Sequence, residues 1–261
     1  MDPLEKTESE RAWADLSVRC TVFVIPEGPL ANPACSVGSA TLLRSPRNHV
    51  FLLTARHIAE DVRRGQIWFG HFNCTNAIKT GIAGALLHPN ADVDAALLLL
   101  KRKDQTKLTS YTRSSATVSE DSGVANGDYL AICGYPWELQ HLDQQRPQQG
   151  FTSLFYNCIL ESPAHDDLGR LRLAWGKFEA ERSAIVPPAP PGTSGGGLWR
   201  RRDQGQLIWT PDNTITIVGI QSAWERANQI ALVEPSSRWF SWYVDSLGKL
   251  DEDEFASQEA G

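Results

Sequence analysis

The chain has 261 residues, 41% of them hydrophobic and 21% charged, with a formal net charge of -6. This is the composition of a folded protein with a substantial core, and its acidic balance argues against a general nucleic-acid binder, with Arg200-Arg201-Arg202 read as a solvated turn. No apolar stretch approaches the length of about 18 residues that spans a bilayer, Leu97 to Leu100 being far too short, so no membrane partner is expected.

In chain order, Met1 to Leu16 are polar and charged, with no basic start followed by an apolar run. They do not read as a secretory signal, and a charged extension outside the core is expected, in a soluble cytoplasmic chain. Val18 to Val24 alternates with the period of a strand, as does Thr214 to Val218. Further strands are predicted at 39–44, 50–54, 66–72, 82–87, 95–101, 128–134, 151–159, 171–179 and 206–210, which is an all-β pattern. A short helix is predicted over Thr54 to Val62, and an amphipathic one over Ser237 to Leu247 with Trp239, Trp242, Tyr243 and Leu247 on one face. The Ser/Thr/Asp/Gly-rich stretch from Thr109 to Asp128 reads as a connector, and the tail around Asp251-Glu252-Asp253-Glu254 as disordered. The sequence carries no internal repeat.

Chemistry concentrates in three motifs: Thr54-Ala55-Arg56-His57, Asp94-Ala95-Ala96-Leu97-Leu98 and Gly192-Thr193-Ser194-Gly195-Gly196. They supply a base, a carboxylate and a nucleophile. A serine hydroxyl is a poor nucleophile at neutral pH, so attack on an amide needs an imidazole to take its proton and a carboxylate to hold that imidazole's tautomer. Each motif also has a plainer reading. Residues 187–197 have the composition of a Pro/Gly/Ser linker, His57 alone is an ordinary structural histidine, and Asp94 alone is the start of a strand. A phosphate cradle is disfavoured because the lysine of a P-loop is missing. The joint order His, Asp, Ser with its flanks outweighs these separate readings. Asp92 offers a second carboxylate on the same face of the extended segment as Asp94.

With Gly38-Ser39-Ala40-Thr41-Leu42-Leu43 before Phe51-Leu52-Leu53-Thr54-Ala55, with Ala131-Ile132-Cys133-Gly134-Tyr135-Pro136, and with Val218-Gly219-Ile220-Gln221-Ser222, the chain resembles the trypsin/chymotrypsin-like serine proteases over roughly residues 17 to 245. Within them it is similar to the bacterial cytoplasmic trypsin-like peptidase domains. The resemblance implies two antiparallel six-stranded β-barrels with a C-terminal helix. On that plan residues 1–16 are an N-terminal extension, 17–115 a barrel carrying His57 and Asp94, and 116–127 a connector. Residues 128–235 form a barrel carrying Ser194, 236–248 the closing helix and 249–261 an acidic tail. The resemblance further implies catalytic roles for His57, Asp94 and Ser194, the family's pattern favouring Asp94 over Asp92, and an oxyanion hole made by the amides of Gly192 and Ser194. The partner implied is a protein or peptide substrate, and no cofactor is implied.

Several positions depart from the secreted members of that family. Thr193 stands where they carry the aspartate that binds a newly cut amino terminus, so the resemblance implies no cleavage-triggered switch, as in high-temperature-requirement-type bacterial proteases. Constitutive activity or an activating protein partner is expected instead, with Pro187, Pro188, Pro190 and Pro191 stiffening the approach to a preformed loop. Pro188 replaces the aspartate that selects Lys or Arg. Ser222, Ala223 and Trp224 align with the substrate-binding edge strand, which places an indole where glycine keeps the pocket open and leaves Glu225 or Glu234 as sources of acidity. Gly197 stands for the usual proline. Ile58 and Pro190 occupy positions where secreted relatives carry cysteines, and Cys20, Cys35, Cys74, Cys133 and Cys158 are odd in number without paired spacing. Reduced thiols are expected. His71 and Cys74 are spaced like ligands, but two candidates make no metal site, so none is expected. The favoured function is a serine endopeptidase of restricted specificity, with a place as an effector in a bacterial regulatory or defence system; the alternatives are a peptide-binding pseudoprotease and an esterase.

Overall fold

The structure, a computed structural model, describes residues 3–26, 38–45, 49–62, 66–70, 78–101, 104–106, 116–121, 123–124, 128–136, 154–159, 164–175, 191–202 and 215–259. Six strands form the first unit: β1 (Thr21–Pro26), β2 (Gly38–Arg44), β3 (Val50–Thr54), β4 (Gln66–Gly70), β5 (Ile78–Leu87) and β6 (Ala96–Leu100). They close into an antiparallel barrel in the order β1-β2-β3-β6-β5-β4. Period-two alternation explains its two faces. Val22, Val24, Ala40, Leu42, Val50, Leu52, Ala96, Leu98 and Leu100 fill the interior, and Ile58, Ala59 and Val62 of the short helix α2 (Arg56–Val62) plug one end.

The second unit is a six-stranded antiparallel sheet of β7 (Tyr129–Gly134), β8 (Leu154–Ile159), β9 (Leu171–Ala174), β10 (Gly197–Arg201), β11 (Ile215–Glu225) and β12 (Ile230–Pro235), in the order β8-β7-β10-β11-β12-β9. Among the described residues β8 and β9 are its edges, and the sheet does not close into a second barrel. Leu130, Ile132, Leu198, Val218, Ala231 and Val233 pack on one face with Trp175. The opposite residues, Ala131, Cys133, Trp199, Ile217 and Ile220, meet Leu43, Phe51, Leu53 and Leu97 of the barrel in a core shared by both units. The site described below lies across that shared core.

Four expectations are corrected. The first residues are not a charged extension outside the core: they form helix α1 (Pro3–Arg19), which buries Trp13 in the shared core and delays the first strand to Thr21. Arg200 and Arg201 are not a solvated turn, since both lie in β10 at 2% exposure. Arg200 donates through its two terminal nitrogens to the carbonyls of Gly123 and Asp121, each at 2.9 Å, and Arg201 lies 4.7 Å from the ring centre of Tyr129 and 5.4 Å from that of Trp13. Such cation–π contacts and carbonyl acceptors are what make a buried arginine tolerable. The C-terminal helix α3 runs over Phe240–Glu259, preceded by a 3-10 turn at Ser236–Arg238, so the acidic tail is helical rather than disordered. Strands β10 and β12 were not predicted, whereas the strand predicted at 206–210 lies outside the described residues. In the helical segment Trp239 and Leu247 are buried in the shared core, with Trp242 and Tyr243 packed against them.

Candidate active site

His57 stands in the first turn of α2, three residues after the barrel strand β3 ends at Thr54. Because Ile58, Ala59 and Val62 turn the helix's apolar face inward, the His57 side chain remains 44% exposed. Asp94 arrives on the loop between β5 and β6. One of its oxygens, Oδ1, accepts from the His57 main-chain N–H at 3.1 Å, and the other, Oδ2, lies 2.9 Å from His57 Nδ1. An ionised carboxylate only accepts, so Nδ1 carries the proton and Nε2 is left as the acceptor nitrogen. Burial works to lower the imidazole's pKa, but the hydrogen bond and charge of Asp94, with smaller contributions from the charges of Asp61 and Glu60, outweigh it and raise it above the ordinary value. Asp92 plays no part in this pair: its N–H donates to Asn90 Oδ1 at 2.9 Å and its carbonyl accepts from Arg238 at 3.2 Å.

Behind Asp94 stands a second carboxylate that the sequence did not single out for this role. Glu234, fully buried at the end of β12, accepts the Asp94 N–H through Oε2 at 3.3 Å and pairs through Oε1 with Arg238 at 2.7 Å. Burial pushes the Glu234 carboxyl up, against the charge of Arg238 and the Asp94 N–H, which act to lower it. The Glu234–Arg238 pair thus brackets the Asp92–Asp94 loop from the second unit. Neither acidic candidate is loose: Glu225 is held by both terminal nitrogens of Arg172, at 2.9 and 3.1 Å.

Ser194 sits in a turn whose flanking glycines adopt left-handed backbone, φ +96° at Gly192 and +87° at Gly195. At Gly195 there is also no room for a side chain, because a Cβ would collide with Ser39 O and Thr54 Oγ1 and reach within 3.0 Å of Ala55 N. That close approach sets the serine's neighbour against the segment two residues before His57, so the turn and the histidine helix share one contact. The loop's carbonyls are tied inward. Ser39 donates its N–H to Ser194 O at 2.7 Å and its hydroxyl to Gly192 O at 2.8 Å, while Thr193 O accepts the Gly196 N–H at 2.8 Å. Among the described residues, no acceptor takes the N–H of Gly192 or of Ser194.

The remaining predicted residues lie less simply. Ser222 is the bulge residue of β11, where the register to β12 shifts, and its hydroxyl donates to Leu232 O at 3.2 Å. Ala223 O accepts from Gln221 Nε2 at 2.9 Å. Trp224 packs edge-on against Trp175, ring centres 6.0 Å apart, and so belongs to an aromatic pair on that side of the sheet. Pro188, His71 and Cys74 lie outside the described residues. Cys20 and Cys133 are buried, and burial pushes the Cys133 thiol up to about 12 despite the Thr21 hydroxyl, which removes it as a nucleophile. Among the described residues no group of three His, Cys, Asp or Glu side chains could hold a metal ion, and no helix is long and apolar enough to cross a membrane. Ser39, Gln221, Glu234 and Arg238 are the site residues whose roles sequence reasoning missed: Ser39 and Gln221 stand inside motifs that carried the resemblance, Glu234 was named only as a source of acidity, and Arg238 had no signal.

No protein-family model matches the sequence, and no curated protein does either. The fold, however, has solved counterparts. A serine endoprotease from Yersinia pestis superposes with a TM-score of 0.53 at 16% identity, over 91% of this chain and 65% of its own. An HtrA-type protease solved with a tripeptide gives 0.52 at 16% identity, over 88% and 61% respectively. A thermostable serine protease from an extremophilic microorganism gives 0.55 at 13% identity, over 84% and 92%. This chain therefore spans somewhat under two thirds of the length of the first two. Its fold, mostly β with two antiparallel units, is that of these serine proteases.

Proposed function

We propose that the chain is a serine endopeptidase working through His57, Asp94 and Ser194. The observation that carries this reading is the joint placement of a carboxylate-held imidazole and a glycine-flanked serine turn on the contact between the two units. In the step proposed, the Ser194 hydroxyl passes its proton to His57 Nε2 while Oγ attacks the peptide carbonyl. The tetrahedral oxyanion forms against the amides of Gly192 and Ser194, whose N–H groups have no acceptor among the described residues. His57 then protonates the leaving amine, and water enters by the same route in reverse to release the acyl group. Asp94 holds the imidazole tautomer and offsets the charge of the imidazolium.

The same reading extends to the parts of the plan that stand as proposals. The second sheet is taken as the counterpart barrel, with 17–115 and 128–235 as the two units, and the edge of β11 at Ser222, Ala223 and Trp224, with Pro188, as the substrate side. The partner is a protein or peptide, cut at a restricted site inside the cytoplasm, with an activating protein as a further partner and neither nucleic acid nor membrane. A place as an effector in a bacterial regulatory or defence system rests on analogy of fold alone.

A fluorophosphonate probe tests the central claim, because it phosphonylates a serine only where a base and an oxyanion hole activate it. Labelling of the full chain at Ser194, lost in Ser194→Ala, is the expected result. A folded wild-type chain that takes no label would leave a peptide-binding pseudoprotease as the better reading, and labelling with turnover of esters but not of peptides would leave an esterase.

A further inference from the structure

Glycines at 192 and 195 let the serine turn adopt its shape, but they do not hold it there, since glycine has the least backbone restraint of any residue. Its partners must do so. Thr193, fully buried, donates its hydroxyl to Gln221 Oε1 at 3.1 Å. The other end of that amide is fixed as well, because Gln221 Nε2 donates to Ala223 O at 2.9 Å. A carbonyl can only accept, so the nitrogen must face Ala223 and the oxygen must face Thr193. The main chain of the same residue reaches the other side of the serine: Gly195 N–H donates to Gln221 O at 2.8 Å, and Gln221 N–H donates to Gly196 O at 2.9 Å. One residue at 1% exposure therefore grips the turn on both sides of Ser194 and also holds the carbonyl of Ala223 on β11.

The bond between Thr193 and Gln221 is buried and neutral. Deleting the Thr193 hydroxyl would leave Gln221 Oε1 without this donor away from water, which is more unfavourable than the bond itself is favourable. The cheapest relief is for the turn to rotate, and rotation of the peptides around Ser194 is what would displace the amides of Gly192 and Ser194.

We propose that Gln221 and Thr193 are positioning residues: their buried side-chain bond fixes the turn with the amides of Gly192 and Ser194 unbonded and couples it to the β11 edge at Ala223, without any charged group or cleavage of the chain. The inference rests on the serine-hydrolase reading above. It assigns the setting of the turn to a neutral latch within the second unit, built from a threonine and a glutamine 28 residues apart.

The test is the rate at which the full chain is labelled by a fluorophosphonate probe, resolved into probe binding and maximal labelling rate. Thr193→Val keeps the side chain's shape without its hydroxyl, Thr193→Ser keeps the hydroxyl, and Gln221→Met keeps length and volume without the amide. Expected are a fall of roughly ten- to a hundredfold in the maximal rate for Thr193→Val and Gln221→Met, milder than the 10²–10³ for deleting an oxyanion donor itself, with probe binding unchanged and Thr193→Ser close to wild type. A purely structural role would lower melting temperature without this split or this rescue. If Thr193→Val fails to fold, Gln221→Met carries the comparison. Wild-type rates in both variants, or a Thr193→Ser as slow as Thr193→Val, overturn the latch alone; a wild-type chain that takes no label overturns the hydrolase reading and the latch with it.

Discussion

On the His57 side of the site the recorded contacts are ionic: the Asp94 carboxylate on the imidazole and its main-chain N–H, and behind it Glu234 paired with Arg238. On the Ser194 side the hydrogen bonds from Ser39, Thr193 and Gln221 to the turn's own amides and carbonyls join neutral groups. The difference follows from what each side must do. An acid–base pair has to change protonation state, so its environment is tuned by charge. A turn that presents amides has only to keep its shape, and hydrogen bonds between neutral groups do this at any ordinary pH. The two sides should therefore break differently, by pH and charge-neutral substitution on one and by sterics on the other.

The largest effect is expected on the charged side. Asp94→Asn replaces an oxygen that accepts from Nδ1 with an amide that favours the other imidazole tautomer, and a loss of about 10⁴ in kcat is the usual size for that change. Asp92→Asn should remain within about twofold of wild type, since Asp92 meets the site only through its carbonyl. Steady-state rates of the two folded variants decide it, and a crippled Asp92→Asn beside an active Asp94→Asn would reverse the assignment made from the geometry.

How far the sequence revealed these two sides differs too. His57 and Asp94 were legible because each stands in a local motif beside a run of barrel residues, Phe51 to Thr54 and Ala96 to Leu100, whose alternation is plain. The turn at Ser194 was legible through its glycines. What supports them was hidden, because Gln221 meets Thr193 across 28 residues and Glu234 meets Asp94 across 140, and no short pattern encodes such pairs. Strand β10 was missed for a related reason: Arg200 and Arg201 read as surface charge, but the carbonyls of Asp121 and Gly123 and the rings of Trp13 and Tyr129 receive them in the interior. Glu234 interrupts the apolar run of β12 in the same way. Helix α1 offers few apolar residues, and among its described side chains the buried ones are Trp13 and Ser17, which a local pattern does not mark.

Sterics give the next effect, on the neutral side. Gly195→Ala would place a methyl against Ser39 O and Thr54 Oγ1 on a backbone at φ +87°. Relief requires the turn to lift from the β2 and β3 ends, so a loss of about 3 kcal/mol or more in unfolding free energy is expected together with loss of labelling at Ser194. Chemical denaturation measures the first and the fluorophosphonate the second. A variant of normal stability and normal labelling would mean that the turn is not seated as closely as described.

The pH dependence sharpens the contrast further. Turnover needs a neutral His57, and Asp94 raises the pKa of that imidazole, so kcat/KM should fall as pH drops through a midpoint above the ordinary imidazole value of about 6.5. In Asp94→Asn the residual activity should show its midpoint at lower pH, because the carboxylate that favours the imidazolium is gone. Thr193→Ser and Gln221→Met, which alter neutral groups only, should leave the midpoint where it is. A midpoint that moved with the latch variants would show that the two sides are coupled through charge.

The smallest effect concerns Glu234 and is a matter of slope. Burial raises its carboxyl above the ordinary glutamate value in the folded chain, so the folded state keeps this proton to higher pH than the unfolded state does. Between the two values the unfolded chain binds fewer protons, and linkage then makes folding less favourable as pH rises through that window; the contribution is absent below the unfolded value and complete above the folded one. Glu234→Gln cannot ionise, yet its side-chain oxygen can still accept the Asp94 N–H. The stability of Glu234→Gln relative to wild type should therefore climb across the window and level off above it, whatever constant offset arises from leaving Arg238 without its counter-charge. Unfolding free energies of both proteins, measured from the ordinary carboxylate range up to neutral pH, test this. A difference that stays flat would place the charge balance around Arg238 and Asp94 evenly enough to cancel the burial of Glu234, and a falling one would show that the ion pair holds this carboxylate below its ordinary value.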